Sequence, residues 1–259
     1  MFRLLKALLL ASAVVAVVTT TMLLGSCNSN GVAQVRVINA IPDAMSPVDI
    51  DFNGSTAVTS LAFDSVFPAP ATPPTYFGVT AGLVTIEAFC HAQTANPILD
   101  DTNGNLSGGK QYTLLLSGAA DCQNSPPTIT TPLNAYLISD NNATPSANTV
   151  KFRIINGSLF SSTNPATTQG FDIYILPQGQ PISGIPTISG LTLGQSGPGY
   201  VTFNYSAEYT VWVTAHKNTL PLFSTTYPQS NLQITTLVIM DQSNGTAISP
   251  NMLELIDVQ

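Results

Sequence analysis

Apolar residues recur along most of this chain at a period of two, in short runs separated by turn residues. Val48, Ile50 and Phe52 alternate with Asp49, Asp51 and Asn53, the pattern of a strand with one face buried. Val84, Ile86, Ala88 and Cys90 form one face of a second such segment, and Tyr209, Val211, Val213 and Ala215 one face of a third. Strands are predicted over residues 33–40, 48–53, 56–67, 83–90, 98–106 (a shorter one), 111–117 and 134–139. A second set is predicted over 150–156, 171–176, 200–205, 209–215, 222–226, 234–240 and 252–258, with a short segment at 187–193. Asn53-Gly54 is a hairpin signal, and Pro68–Pro74 cannot join a central ladder. Many short strands with frequent turn signals predict an all-β sandwich or barrel.

The pattern is used twice. Arg36-Val37-Ile38-Asn39 is echoed by Arg153-Ile154-Ile155-Asn156, and Val48-Asp49-Ile50 by Phe171-Asp172-Ile173. The polar stretch Asp140–Thr149 has the composition of a domain boundary. The 259 residues thus divide into a leader (1–26), a cysteine with a short tether (27–32), a first copy (33–140), a linker (141–149) and a second copy (150–259).

Composition changes the picture in two ways. Hydrophobic residues make up 44% and charged residues 8%, far below the roughly 25% charge of ordinary soluble domains, so the polar surface is built from Thr, Ser, Asn and Gln. The net charge is −7, and loss of the leader, which carries Arg3 and Lys6 and no acid, leaves −9. Nucleic-acid binding is excluded as an expectation, because it needs a basic footprint. The leader itself reads as an export signal, with a basic start, an apolar run from Ala7 to Leu24, then Leu24-Gly25-Ser26-Cys27. Those four residues resemble the bacterial lipobox. The resemblance implies cleavage before Cys27, lipidation of its thiol and a membrane partner reached through that N-terminal anchor; Asn28 implies the outer membrane. An uncleaved transmembrane helix is the alternative. Either reading exports the rest of the chain. The tether holds the first domain within about 15–20 Å of the anchor.

VRVINAIPDAMSPVDIDF at residues 35–52, then Leu61-Ala62-Phe63, Gly82–Ala88 and Gly109–Gly118, resemble the bacterial exported family called domain of unknown function 4397. The resemblance extends in diluted form to the second copy. It implies two tandem immunoglobulin-like β-sandwich domains behind the lipoprotein signal peptide, and it assigns no catalytic residue.

Candidate chemistry is sparse. Export to an oxidising compartment makes a Cys90–Cys122 disulfide the expected pairing, with two separate core thiols as the alternative. Asp49-x-Asp51-x-Asn53-Gly54 opens like a calcium loop but has Ser60 where the closing Glu belongs. Asp100–Asn105 is an oxygen-rich loop that equally suits a plain turn. Neither metal nor cofactor is expected. Gly194-Gln195-Ser196-Gly197-Pro198 is not a nucleophile elbow, and two histidines leave little material for a Ser–His–Asp site. Those histidines occupy equivalent places: aligning Thr85 with Thr210 sets His91 opposite His216. Thr210, Trp212, Thr214 and His216 then share a sheet face that is a candidate ligand surface for a sugar or a protein. The alternative packs Trp212 under a loop or against the other domain. The expected function is a non-enzymatic, lipid-anchored surface binding or adhesion-type module with a protein or glycan ligand. A carbohydrate-binding lipoprotein, a structural part of a surface assembly and an envelope hydrolase are the alternatives.

Overall fold

A computed structural model describes residues 31–42, 47–71, 73–93, 95–124, 126–160, 169–242 and 252–258. The leader, Cys27 and the Asp43-Ala44 part of the first turn lie outside the described residues. The first domain runs β1 (Val32–Ala40), β2 (Val48–Phe52), β3 (Ser55–Leu61), β4 (Ser65–Phe67), β5 (Phe77–Thr80), β6 (Gly82–Cys90), β7 (Pro97–Leu106), β8 (Gln111–Asp121) and β9 (Thr128–Asp140). The second runs β10 (Thr149–Asn156), β11 (Phe171–Pro177), β12 (Ile188–Leu191), β13 (Val201–Asn204), β14 (Glu208–Ala215), β15 (Pro221–Pro228), β16 (Ile234–Ile239) and β17 (Leu253–Val258).

Each domain is a β-sandwich. In the first, a sheet ordered β4-β1-β8-β9, with β5 also on β1, faces a sheet ordered β3-β2-β6-β7. In the second, β13-β10-β16-β17 faces β12-β11-β14-β15. The strand order is the same in both, and in each the opening strand pairs in parallel with the penultimate one: Arg36 lies opposite Thr113, and Arg153 opposite Thr236.

Two predicted segments differ, and the sequence pattern misses one strand. The stretch 56–67 is two strands, because Asp64 adopts a left-handed φ of 57° that turns the chain. Its halves then pair in different sheets. β7 is a full ten-residue strand, with Gly104 packed close against the backbone and side chain of Val84. β5 carries only four residues and stands apart from the longer patterns.

Two cores fill the sandwiches. Val35, Val37, Ile50, Ile86, Leu114 and Leu116 belong to the first, and Phe152, Ile154, Ile173, Val211 and Leu237 to the second. A third cluster lies between the domains, with Ile38, Ala40 and Leu115 from the first against Ile155, Val238, Met240 and Leu255 from the second. The β1/β8 and β10/β16 sheets are therefore buried on both faces, which is why their sequences run apolar rather than alternating. The molecule has four sheet layers.

The same interface buries four charges. Arg36 is 4% exposed and Arg153 1%, and the side chains of Asp140 and Asp257 have no exposure. Each guanidinium reaches the opposite domain: Arg36 Nη1 donates to Asp257 Oδ1 at 2.5 Å and Arg153 Nη1 to Asp140 Oδ1 at 2.7 Å. Each Nε donates to a threonine of its own domain, Arg36 to Thr113 and Arg153 to Thr236. Those hydroxyls in turn donate to Asp140 and Asp257. Tyr76 and Tyr200 lie over the two guanidiniums, with centroids at 5.4 and 4.6 Å. Burial works against the charge of Arg36, but Asp257 and then Asp140 hold it protonated beyond its ordinary range. Burial also pushes the Tyr76 and Tyr200 hydroxyls well above theirs. The arrangement has a pseudo-twofold axis.

Cys90, at the end of β6, and Cys122, after β8, are joined by a disulfide with a Cα–Cα distance of 5.5 Å. It ties the two sheets of the first sandwich together. Among the described residues the second sandwich has no counterpart, with Ala215 at the place of Cys90.

Two outcomes are expected. Asp257→Ala strands Arg36 in a dry interface and lowers stability by about 3–5 kcal/mol, read as the urea midpoint. Adding Arg36→Met restores part of that loss, which an additive double mutant would contradict. Reducing the disulfide, which spans 32 residues, costs the first domain about 3–4 kcal/mol. Amide exchange should speed up in β6 and β8 and not in β14 and β16.

Candidate functional site

The histidines and the repeated aspartates meet. His91 Nδ1 lies 2.8 Å from Asp49 Oδ1, and His216 Nδ1 lies 2.8 Å from Asp172 Oδ1. Register explains the meeting: β2 pairs with β6 and β11 with β14, so the strand-end histidine arrives beside the strand-start aspartate. Each aspartate also accepts a backbone N–H from a left-handed residue in the next strand, Ser60 (φ 56°) in one copy and Gly190 (φ 63°) in the other. In the second copy Lys217 N–H and Ser189 Oγ donate as well. Burial opposes ionisation of Asp172, but the bonds from His216, Lys217, Gly190 and Ser189 hold its carboxyl below the usual carboxylate range.

Asp172, His216 and Ser189 are the residue types of a hydrolytic triad, but not its geometry. Ser189 Oγ donates to Asp172 and lies 3.4 Å from His216 Nδ1, the nitrogen that Asp172 also occupies. A relay needs serine and carboxylate on opposite ring nitrogens. These contacts pin a sheet corner.

The predicted ligand face is placed as follows. Thr210 is 8% exposed and Thr214 fully buried. Thr210 exchanges a hydrogen bond with Thr226 on β15, and Thr214 donates to the Asp172 carbonyl. Trp212 and His216 are half-buried, and the indole Nε1 is covered without a hydrogen-bond partner among the described residues. Trp212 lies opposite Tyr174 and Ser224 on its neighbours. The face is partly covered: Trp212 and His216 keep some exposure beside the buried Thr210 and Thr214.

Asp49 is bound to His91 and Ser60, as above. Asp101 accepts from Asn103 N–H and Nδ2, a local turn contact. Among the described residues, no three His, Cys, Asp or Glu side chains converge as a metal would require.

An open feature lies between the domains. A groove of about 670 Å³ runs between β9, through Leu137 and Ile138, and the 187–198 segment, through Thr187, Ser189, Gln195 and Ser196. Among the described residues, no charged side chain lines it. β9 and β12 are terminal strands of their sheets, so two sheet edges border it. Gly194 (φ 76°) allows the 187–198 segment to close on the Tyr136 ring, where any Cβ would collide. Backbone bonds exchanged between Asn156 and residues 194 and 195 fix the turn. Ser189, on one wall, is held by Asp172, so the His216 corner shapes the groove from behind. Nothing in the spacing of Gly179–Gly199 signals this role, because the opposite wall belongs to the other domain.

Acidification tests the corner. The depressed Asp172 contributes stability that is present above the ordinary carboxylate value of about 4 and lost as pH falls through its lower folded value. Asp172→Asn removes about 1–2 kcal/mol at neutral pH, and urea midpoints should then fall less on acidification below about pH 4 than in the parent.

Among known families, the one described as Domain of unknown function (DUF4397) matches residues 33–163, half of the chain, spanning the first sandwich, the linker and β10. No curated protein matches.

Proposed function

We propose that this chain, which belongs to the family of the domain of unknown function DUF4397, is a lipid-anchored protein of the bacterial cell envelope that binds rather than catalyses. Cys27 carries the lipid, and the outer membrane is its address. Both halves of the reading start from residues: the leader ending Leu24-Gly25-Ser26-Cys27 supports the anchor, and the groove supports the binding. The groove is the observation that carries the proposal. It is fixed by two rigid sandwiches, walled by hydroxyl and amide groups and free of charged lining, which suits an uncharged polar ligand such as a neutral glycan or an extended peptide segment. Sheet edges that leave backbone groups unpaired favour ligands that hydrogen-bond to main chain. Trp212 is half-buried beside two buried threonines, which makes a carbohydrate site there the weaker version, so a glycan reading moves to the groove.

Filling the groove with Ser196→Trp should lower binding to the best hit of a neutral-glycan and peptide array by tenfold or more, about 1.4 kcal/mol. Trp212→Ala should leave that binding unchanged. Loss with Trp212→Ala and not with Ser196→Trp would return the site to the aromatic face. Labelled palmitate should enter the parent chain and not Cys27→Ala, and that variant should leave the membrane fraction.

A further inference from the structure

The chain enters the first sandwich at Gly31, and the surface around that point is unusual for this protein. Gly31 is held between two neighbours: its carbonyl accepts from Ala81 N–H at 2.8 Å, and its backbone packs so closely on Gly108 that a side chain on Gly108 would strike it. Gly109 N–H donates to Val32 O beside it. At this end stand Val32, 53% exposed, and Leu83, 77% exposed, with the exposed Lys110 next to Gly109. One exposed apolar residue means little. Placement and an internal comparison give these residues weight.

The second sandwich repeats this end bond for bond. Tyr205 N–H donates to Asn148 O as Ala81 does to Gly31, Leu232 to Thr149 as Gly109 to Val32, and Lys151 to Gln233 as Gln34 to Lys110. On that shared backbone the side chains differ. Thr149 stands for Val32, Glu208 for Leu83 and Gln233 for Lys110. Tyr205, 44% exposed there, keeps a polar tip. The first copy thus carries apolar Val32 and Leu83 where the second has Thr149 and Glu208, while each copy keeps one lysine at this end, Lys110 in the first and Lys151 in the second.

We infer that this end of the first sandwich rests on the lipid bilayer, with Val32 and Leu83 among the upper acyl carbons and Lys110 among the phosphates. The inference rests on the reading that Cys27 is lipidated. Only Asn28, Ser29 and Asn30 separate Cys27 from Gly31, so an acylated cysteine keeps Gly31 within about 14 Å of the lipid, even with the tether fully extended. Interfacial side chains sit about 5–10 Å into the boundary between headgroups and acyl chains, which a docked domain end reaches without stretching the tether. The occupant is a membrane because no other surface is held so near this end. The orientation follows: this end of the molecule is fixed on the lipid, and the opposite end, where Ala40 packs on Gly157 and the turn after β14 exposes Thr219, lies away from it.

The test uses the full chain, processed and lipidated in a bacterial host and reconstituted in vesicles of phosphatidylethanolamine and phosphatidylglycerol. With Cys27 blocked by lipid and Cys90 joined to Cys122, a substituted cysteine is the free thiol for an environment-sensitive fluorophore. Probes at Leu83→Cys and Val32→Cys should shift to the blue and lose most of their emission to nitroxide-labelled lipid. The probe at Thr219→Cys, at the opposite end, should do neither. Probes at 83 and 32 that behave like the one at 219 overturn the inference while the anchor stands. Mass spectrometry of the N-terminal peptide reads the anchor separately: an unmodified Cys27 overturns the lipoprotein reading and takes this inference with it.

Discussion

The crossed pair of arginines between the sandwiches is the contact on which the rest of the molecule depends. Two guanidiniums and two carboxylates have left water, a desolvation that costs several kcal/mol per ion and is offset only when each group is fully partnered. The partners come from both domains. Arg36 needs Asp257 from the last strand, and Arg153 needs Asp140 from the end of β9. A shift of one sheet over the other by one residue would leave charges facing carbon, so the network fixes the register that the surrounding Ile38, Leu115, Ile155 and Val238 would tolerate less strictly. The groove inherits that register, because Tyr136 and Ile138 on β9 stand just before Asp140 in the same strand.

Much of this was legible and much was not, for identifiable reasons. Strand alternation located β2, β6 and β14, whose outer faces are polar. The repeat was legible in Arg36 and Arg153 because their neighbours repeat as well. Their role was not, since a lone Arg in an apolar run gives no sign of its partner. Asp140 reads as the first residue of a polar linker and Asp257 as one polar position of the last predicted strand, yet both side chains are buried. Equivalence of His91 and His216 could be read by aligning two strands, and Asp49 and Asp172 by aligning two others. That they bond to each other needs the sheet order, which spacing does not encode. Trp212 was placed on its correct face, but the degree of its cover was not legible, because it depends on the residues beside it on β11 and β15.

The copies also show what this architecture requires and what it leaves free. Both keep the buried Arg–Thr–Asp set and the Asp–His corner, down to the left-handed residue that feeds its N–H to the carboxylate. Only one keeps a disulfide, and the other builds the same sandwich without it. The loops differ most, and the groove is made where a loop of the second copy meets a strand of the first. Scaffold contacts repeat, while the surfaces suited to binding do not.

The pseudo-twofold interface is self-complementary. Each half of the chain presents both an arginine to give and an aspartate to receive, so each carries everything needed to meet a copy of itself. Joining the halves through residues 141–148 turns an encounter between two molecules into one within a molecule, at an effective concentration on the order of millimolar. The symmetry is thereby kept while the identity of the halves is released. Surfaces away from the axis are free to diverge, as the 187–198 loop does at the groove, without a mirror copy of each change on the other side.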